Sequence, residues 1–588
     1  MLKKLSEIKN KKPLVLLAFV AAFALARLLL YPYYENNDDC NFADYIAGGC
    51  YNMIFMNYFL VRAIGFIQDL IYPHNAYVLI HLFFVLLATF ALIDIFRKKY
   101  ANSKKTAFFA LGLIFSVYII SQLYIISFTR LSVYLCLVGY LYLIYYSKEK
   151  HWVKGYAVGL LLVIMGAMYR FDGFKAVTAI AAVYYVSLAA TDYFESRRSF
   201  DNLFKAAKSI LSLNLILAVI ASTVLCFGLN YASKAINTST PELEYYCEYT
   251  SVRSAVWDYD IPSYDEAKAD YDAIGIDAND LRMLFLGFMD DEGAFSLENL
   301  KAINAIKEKY NAENRTIKTV LSDMATSAID DFSEFNKKAV LAIAFFAALL
   351  AFVLVNKNGR MLIPVALLLT VFALNMYLSY YGRTPLRAVY PIWMPSTVYL
   401  LFSFDKEYVR NNIQKLKPNK SLKLIGVTAV LISYMVIPAV TFFIEDPLPV
   451  IDNKYTVELN EYVCDESNSD KKFELNLSAD LFDGNMDLPN SYYVKAINPD
   501  LNYKLFSCVY YRLPFDDENC RKILGTDNMY TNLVNENVLF PDLDMPKHAH
   551  YAPPMKAYLE KWYFPGRTVS YSTVAELEYF TVYDFYLE

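Results

Sequence analysis

Apolar residues along this chain come in blocks of roughly 20, the length a helix needs to cross a bilayer core of about 30 Å. Eleven such blocks lie near 13–30, 76–95, 106–122, 131–147, 155–170, 174–190, 210–229, 338–355, 361–380, 389–404 and 423–444. Short charged loops separate most of them, and two long polar stretches run over 230–336 and 446–588. The pattern predicts an α-helical polytopic membrane protein of about 11 spans. It divides into an N-terminal transmembrane module (1–229), a helical loop domain (230–336), further transmembrane helices (337–445) and a C-terminal domain (446–588). The first block follows five lysines and could be read as a signal peptide, but Tyr31-Pro32-Tyr33-Tyr34-Glu35 is a poor small-residue cleavage site. The block is expected to be retained as a helix.

Loop charge sets the orientation. Counting from a cytoplasmic N-terminus, the inner loops carry Arg97 to Lys99 with Lys104 and Lys105, then Lys148 and Lys150, Arg197 and Arg198, Lys357 and Arg360, and Lys406 through Lys420. The short outer loops carry only Arg62, Arg130, Arg170, Lys175, Arg383 and Arg387. Lys/Arg excess on one side is what orients helices during insertion. Both polar stretches and the C-terminus are therefore expected outside the cytoplasm.

Within the first polar stretch, Ser263 and Glu266 have capping-box spacing ahead of a helix, and Ser296 opens another. The second is acidic, and alternation over Thr568–Val574 and Tyr579–Tyr583 predicts strands and an α+β domain. The net charge of −5 and the lack of a basic patch mixed with stacking aromatics argue against a nucleic-acid partner. Six of the eight cysteines fall outside, where Cys40 with Cys50, Cys508 with Cys520, and Cys247 with Cys464 are candidate pairs. No C-x-x-C occurs and histidines number five, so a zinc site is rejected.

The candidate chemistry collects at outer helix ends. Glu35, Asp38, Asp39 and Asp44 crowd the loop after the first helix. Carboxylates held close together can act as a general base, because like charge and burial raise one pKa. They could also hold a divalent cation, or be a solvated loop. Arg170 with Asp172 closes the fifth helix, and Arg383 with Arg387 lies between the ninth and tenth. Arginine at such a place either snorkels or meets an anion, and its planar fork suits a phosphate.

This constellation resembles the GT-C superfamily of membrane glycosyltransferases, over roughly residues 10–405. Asp38-Asp39 matches the acidic pair after the first helix, Arg170-Phe171-Asp172-Gly173 an Arg-Pro-acid-Gly element, and Gly382-Arg383 through Arg387 to Tyr390-Pro391 a late arginine element. Phe171 replaces the usual proline, Asp39 the commoner glutamate, and two residues are inserted before Tyr390. The resemblance implies inverting sugar transfer from a polyprenyl-phosphate donor to a glycan, lipid or protein acceptor. Asp38 or Asp39 would be the base, and Arg170, Arg383 and Arg387 would hold the lipid phosphate; a divalent metal is allowed but not required. A Wzy-type polysaccharide polymerase and a non-catalytic transport or assembly protein are the rival readings. Apart from Arg27, the predicted midplanes are plain and no internal repeat occurs, unlike most transporters.

Overall fold

A computed structural model describes residues 11–29, 33–35, 37–101, 103–147, 149, 152–196, 213–355, 358–404, 454–475, 502–505, 511–543 and 550–588. The first half runs α1 (Lys11–Leu29), β1 (Tyr33–Tyr34), α2 (Asn37–Ala47), α3 (Tyr58–Ile71) and α4 (Ala76–Lys99). Next come α5 (Lys104–Ile114, continuing through a π turn to Gln122), β2 (Ile125–Ile126), α6 (Phe128–Tyr146), α7 (Trp152–Tyr169), α8 (Phe171–Ser196) and α9 (Leu213–Asn237). The first polar stretch forms α10 (Pro241–Trp257), α11 (Lys268–Ala273), α12 (Ala278–Phe285), α13 (Leu297–Asn314) and α14 (Ile317–Ser333). Apolar helices return as α15 (Lys337–Val355), α16 (Leu362–Tyr380) and α17 (Leu386–Phe402). The C-terminal part holds α18 (Lys454–Val463), β3 (Lys472–Leu475), β4 (Tyr503–Leu505), α19 (Pro514–Leu524), α20 (Met529–Asn532), β5 (Val538–Leu543), α21 (Ala552–Trp562), β6 (Val569–Glu576) and β7 (Phe580–Leu587).

Ten of the eleven predicted blocks are helices, and the eleventh, 423–444, lies outside the described residues. Helices α4, α6, α8, α9 and α16 each contain a stretch long and apolar enough to span a bilayer alone; α14 and α15 together make a sixth candidate, bent by 98°. The chain is a multi-pass membrane protein. Its centre is α6, buried from Phe128 to Ile144. A Cβ on Gly139 would meet the Gly159 carbonyl at 2.7 Å, and one on Gly159 the Gly139 carbonyl at 2.9 Å, so these glycines let α6 and α7 pack at backbone contact.

The polar stretches build a mixed sheet in the order β4-β3-β5-β7-β6 beside a helical layer. The strands expected near 568–583 are β6 and β7, paired antiparallel. One hydrophobic cluster draws on both stretches: Tyr249, Tyr271, Phe288 and Leu300 pack with Tyr530, Phe540, Tyr558 and Phe585. Polar ties cross the same seam, with Trp562 Nε1 donating to Asp280 at 2.8 Å and Lys561 Nζ meeting Asp277 at 2.7 Å.

The expected staples of Cys50 and of Cys247 with Cys464 are not formed. Cys50, Cys247 and Cys464 are free thiols, while the Cys40 side chain and Cys508, the expected partner of Cys520, lie outside the described residues. Cys50 is packed into the main apolar core, and burial pushes its thiol up to about 11. Cys247 donates to the Asn237 carbonyl instead. Small apolar packing explains both without an oxidising partner.

Candidate functional site

The acidic loop is a helix, α2, and a short ladder fixes where it starts. Tyr33 and Tyr34 pair in parallel with Ile125 and Ile126, and the Glu35 amide donates to the Ile126 carbonyl at 2.9 Å. This brings the chain leaving α1 against the chain entering α6. Asp38 and Asp39 then fall in the first turn of α2, where the helix N-terminus favours negative charge.

The two aspartates differ in environment. Asp39 is fully buried; its Oδ1 accepts the Tyr77 hydroxyl at 2.6 Å and the Phe128 amide at 2.9 Å. Burial holds its carboxyl well above the usual range despite those two bonds. Asp38, roughly 100° around the helix, keeps 12% of its side chain exposed and has Arg387 Nη1 at 3.8 Å from Oδ2. Burial also raises its pKa, opposed by the positive charges of Arg387 and Arg170 and reinforced by Asp258. A carboxyl poised in this way suits a general base better than a freely solvated one.

The three arginines sit at helix ends but differ in how far each is committed. Arg170, between α7 and α8, donates Nη1 to the Thr129 hydroxyl at 2.7 Å, and its guanidinium lies 4.9 Å from the Phe128 ring centre. Arg383 follows α16, pairs with Asp258 at 3.0 Å and stacks over Tyr259 at 4.8 Å. Gly382 before it has φ +66°, and a Cβ there would come within 2.0 Å of an Asp260 oxygen, so the turn requires glycine. Arg387, in the first turn of α17, has the loosest pairing and keeps 29% of its side chain exposed. Arg383 and Arg387 both lie within electrostatic reach of Arg170. The structure thus brings Asp38, Arg170 and Arg387 together, turns Arg383 toward Asp258, and encloses Asp39.

Sequence reasoning missed the element that joins these pieces, the N-terminus of α6. Three consecutive residues there each hold a different motif: the Phe128 amide holds Asp39, the Thr129 hydroxyl holds Arg170, and Arg130 holds Glu35 through Nε at 2.7 Å. Arg130 is 2% exposed, and its guanidinium lies 5.3 Å from the ring centre of Tyr390, the tyrosine of the late arginine element. The signal was present, because Arg130 is one of the few cations in the short loops expected outside. Asp258 and the buried Arg253, whose charge acts on Asp38, were also missed. Both come from α10 and the turn after it, in a segment with no sequence motif of its own.

Among the described residues no three His, Cys, Asp or Glu side chains converge in a way that could hold a metal ion. Asp39, the inner acid of the pair, already accepts two hydrogen bonds on one oxygen.

No protein-family model matches the chain, and no curated protein matches it. Among solved structures, it is similar to ArnT from Cupriavidus metallidurans in the apo state, at 11% identity and a TM-score of 0.37, covering 98% of each chain. It is likewise similar to the same protein bound to undecaprenyl phosphate, at 11% identity and a TM-score of 0.36, covering 97% of each chain.

Proposed function

We propose that the chain is a membrane glycosyltransferase that moves a sugar from a polyprenyl-phosphate donor to an acceptor hydroxyl on the outer face of the membrane. The observation that carries this reading is one largely buried carboxylate, Asp38, with the half-buried Arg387 side chain at 3.8 Å and Arg170 within electrostatic reach. Asp38 takes the acceptor's proton while the acceptor oxygen bonds the sugar's anomeric carbon from the face opposite the phosphate. The bond from that carbon to the phosphate oxygen breaks, and its electron pair leaves with the polyprenyl phosphate. Arg387 and Arg170 stabilise the charge growing on that oxygen, which is the contribution that accelerates the step. Asp39 serves as the buried anchor that orients α2.

Transfer of radiolabelled sugar from a polyprenyl-phosphate donor by the purified protein in nanodiscs tests the reading. Arg387→Lys keeps the charge but loses the paired donors, and is expected to raise the donor KM about tenfold, as expected for one lost charge-assisted bond. Arg383→Lys, whose parent already pairs with Asp258, should do less. Equal effects would remove the distinction between the two arginines. The outward orientation rests on the loop charges and has its own check, because Cys464 is an exposed free thiol. A membrane-impermeant maleimide should label it in intact cells; labelling only after lysis would reverse the topology.

A further inference from the structure

Helix α14 is amphipathic, and its apolar side has no cover among the described residues. Ile317, Leu321, Ala328 and Phe332 recur at steps of four and seven, with Ile329 beside them. At roughly 100° per residue they form one stripe along the helix. All five are exposed, Ile317 at 69%, Ile329 at 67% and Phe332 at 47%. Thr319, Ser322, Thr326 and Asp330 occupy the other side and are exposed as well, while Val320, between the two, is buried. A continuous apolar stripe of this kind marks an interaction surface.

The position of α14 says what covers that stripe. Helix α15 leaves it at 98° and the chain returns through α16, so the start of α15 and the end of α16 share one face of the membrane. Both ends of α14 are tied to that face. At its C-terminus Asn336 fixes the bend: Nδ2 donates to Asp331 at 2.7 Å, and Oδ1 accepts the Lys338 amide at 3.0 Å. Lys338 Nζ closes the corner on Asp331 at 2.9 Å. At the N-terminus Arg315, two residues before Ile317, donates Nη1 to the Ser379 carbonyl in the last turn of α16 at 2.8 Å. A helix held at both ends to one level, and square to a membrane helix, runs along the surface. Tyr377, Tyr380 and Tyr381 mark the same level at the end of α16, packed at 5.1 and 5.0 Å, as interfacial aromatics do.

We infer that α14 lies flat in the boundary between lipid and water, with the stripe from Ile317 to Phe332 sunk among lipid chains and the Thr319–Asp330 side in water. It is then neither half of a broken span nor a re-entrant loop. The occupant of the stripe is lipid of the bilayer the protein already spans, because apolar exposure continues through the bend at Phe335 to Ile343, Phe346 and Leu350 of α15. Ile343 is eight residues past Phe335, so lipid reaches within about 12 Å of the bend. Arg315 also pairs with Asp260 at 3.6 Å, and Asp260 lies against Gly382, which ties this helix to the turn that carries Arg383. The seating itself does not depend on sugar-transfer chemistry.

The test is photo-crosslinking of the full-length protein in phosphatidylcholine nanodiscs, with the benzophenone amino acid benzoylphenylalanine replacing Leu321, Ile329 or Thr326 in turn. All three side chains are exposed, so the bulky group has room at each. After irradiation, mass spectrometry should find the mass of phosphatidylcholine added at positions 321 and 329 and not at 326. Adducts at 321 and 329 to a second copy or to another part of the same chain, or lipid adducts equal at all three positions, would overturn the inference. A second pair of variants reads the same depth by fluorescence. In nanodiscs of lipid brominated high in the acyl chain, the emission added by Ile329→Trp should be lost and that added by Thr326→Trp kept. Retained emission from Ile329→Trp would place the stripe in water and overturn the seating.

Discussion

Asp38→Asn should slow sugar transfer by about 100- to 10,000-fold, the usual contribution of a general base, while leaving the protein folded and the donor bound. Asparagine matches the shape but cannot take the acceptor's proton. The fold should tolerate the change because Asp38's described ion pair is the loose one at 3.8 Å to Arg387, and part of its side chain already meets solvent. Asp39→Asn should behave differently. Asp39 accepts from Tyr77 and from the Phe128 amide inside the core, so its loss should lower thermal stability along with activity. The pH profile separates base from anchor. Asp38 must be ionised to work, and burial raises its pKa above the usual carboxylate value. In the wild type, kcat/KM should therefore rise with pH through a midpoint above that of an ordinary solvated aspartate. That limb should vanish from the residual activity of Asp38→Asn. A variant with undiminished rate, or with the limb intact, removes Asp38 from the chemistry.

The second large effect concerns stability. Arg130→Ala should cost about 3–5 kcal/mol, the range for breaking a buried ion pair by removing one partner. Arg130 is 2% exposed and Glu35 keeps only 13% of its side chain exposed, so the carboxylate left behind is largely cut off from water. Arg130→Met combined with Glu35→Gln should cost clearly less than Arg130→Ala alone, because no uncompensated charge remains. Denaturant titration of the detergent-solubilised variants measures both. Equal losses in the single and double variants would mean that the pair contributes through packing alone.

The spans could be read from sequence because a bilayer imposes one length on every helix that crosses it. Helix α3 escaped that reading since Arg62, Gln68 and Asp69 interrupt its apolar run, and it buries only one face, through Leu60, Val61, Ile64, Gly65 and Gln68. The acids and arginines of the site were legible as types at matching depth. Their division of labour was not, because it depends on partners far away in the chain. Asp39 is enclosed by Phe128, 89 residues on, and Arg383 is drawn away by Asp258. The shared core of the two polar stretches was hidden for the same reason. Tyr249 and Phe585 meet only after α15, α16 and α17 have intervened. Periodicity reports which face of an element is apolar, and says nothing about which distant element covers it.

The most direct measurement is a cryo-EM structure of the protein in nanodiscs with polyprenyl phosphate bound. The phosphate is expected against the guanidinium groups of Arg387 and Arg170, at hydrogen-bonding distance of about 3 Å, with the Asp38 carboxylate facing the open side where an acceptor would enter. A phosphate bound elsewhere, with Asp38 and Arg387 still paired to each other and closed to the lipid, would contradict the assignment of this cluster as the reaction centre.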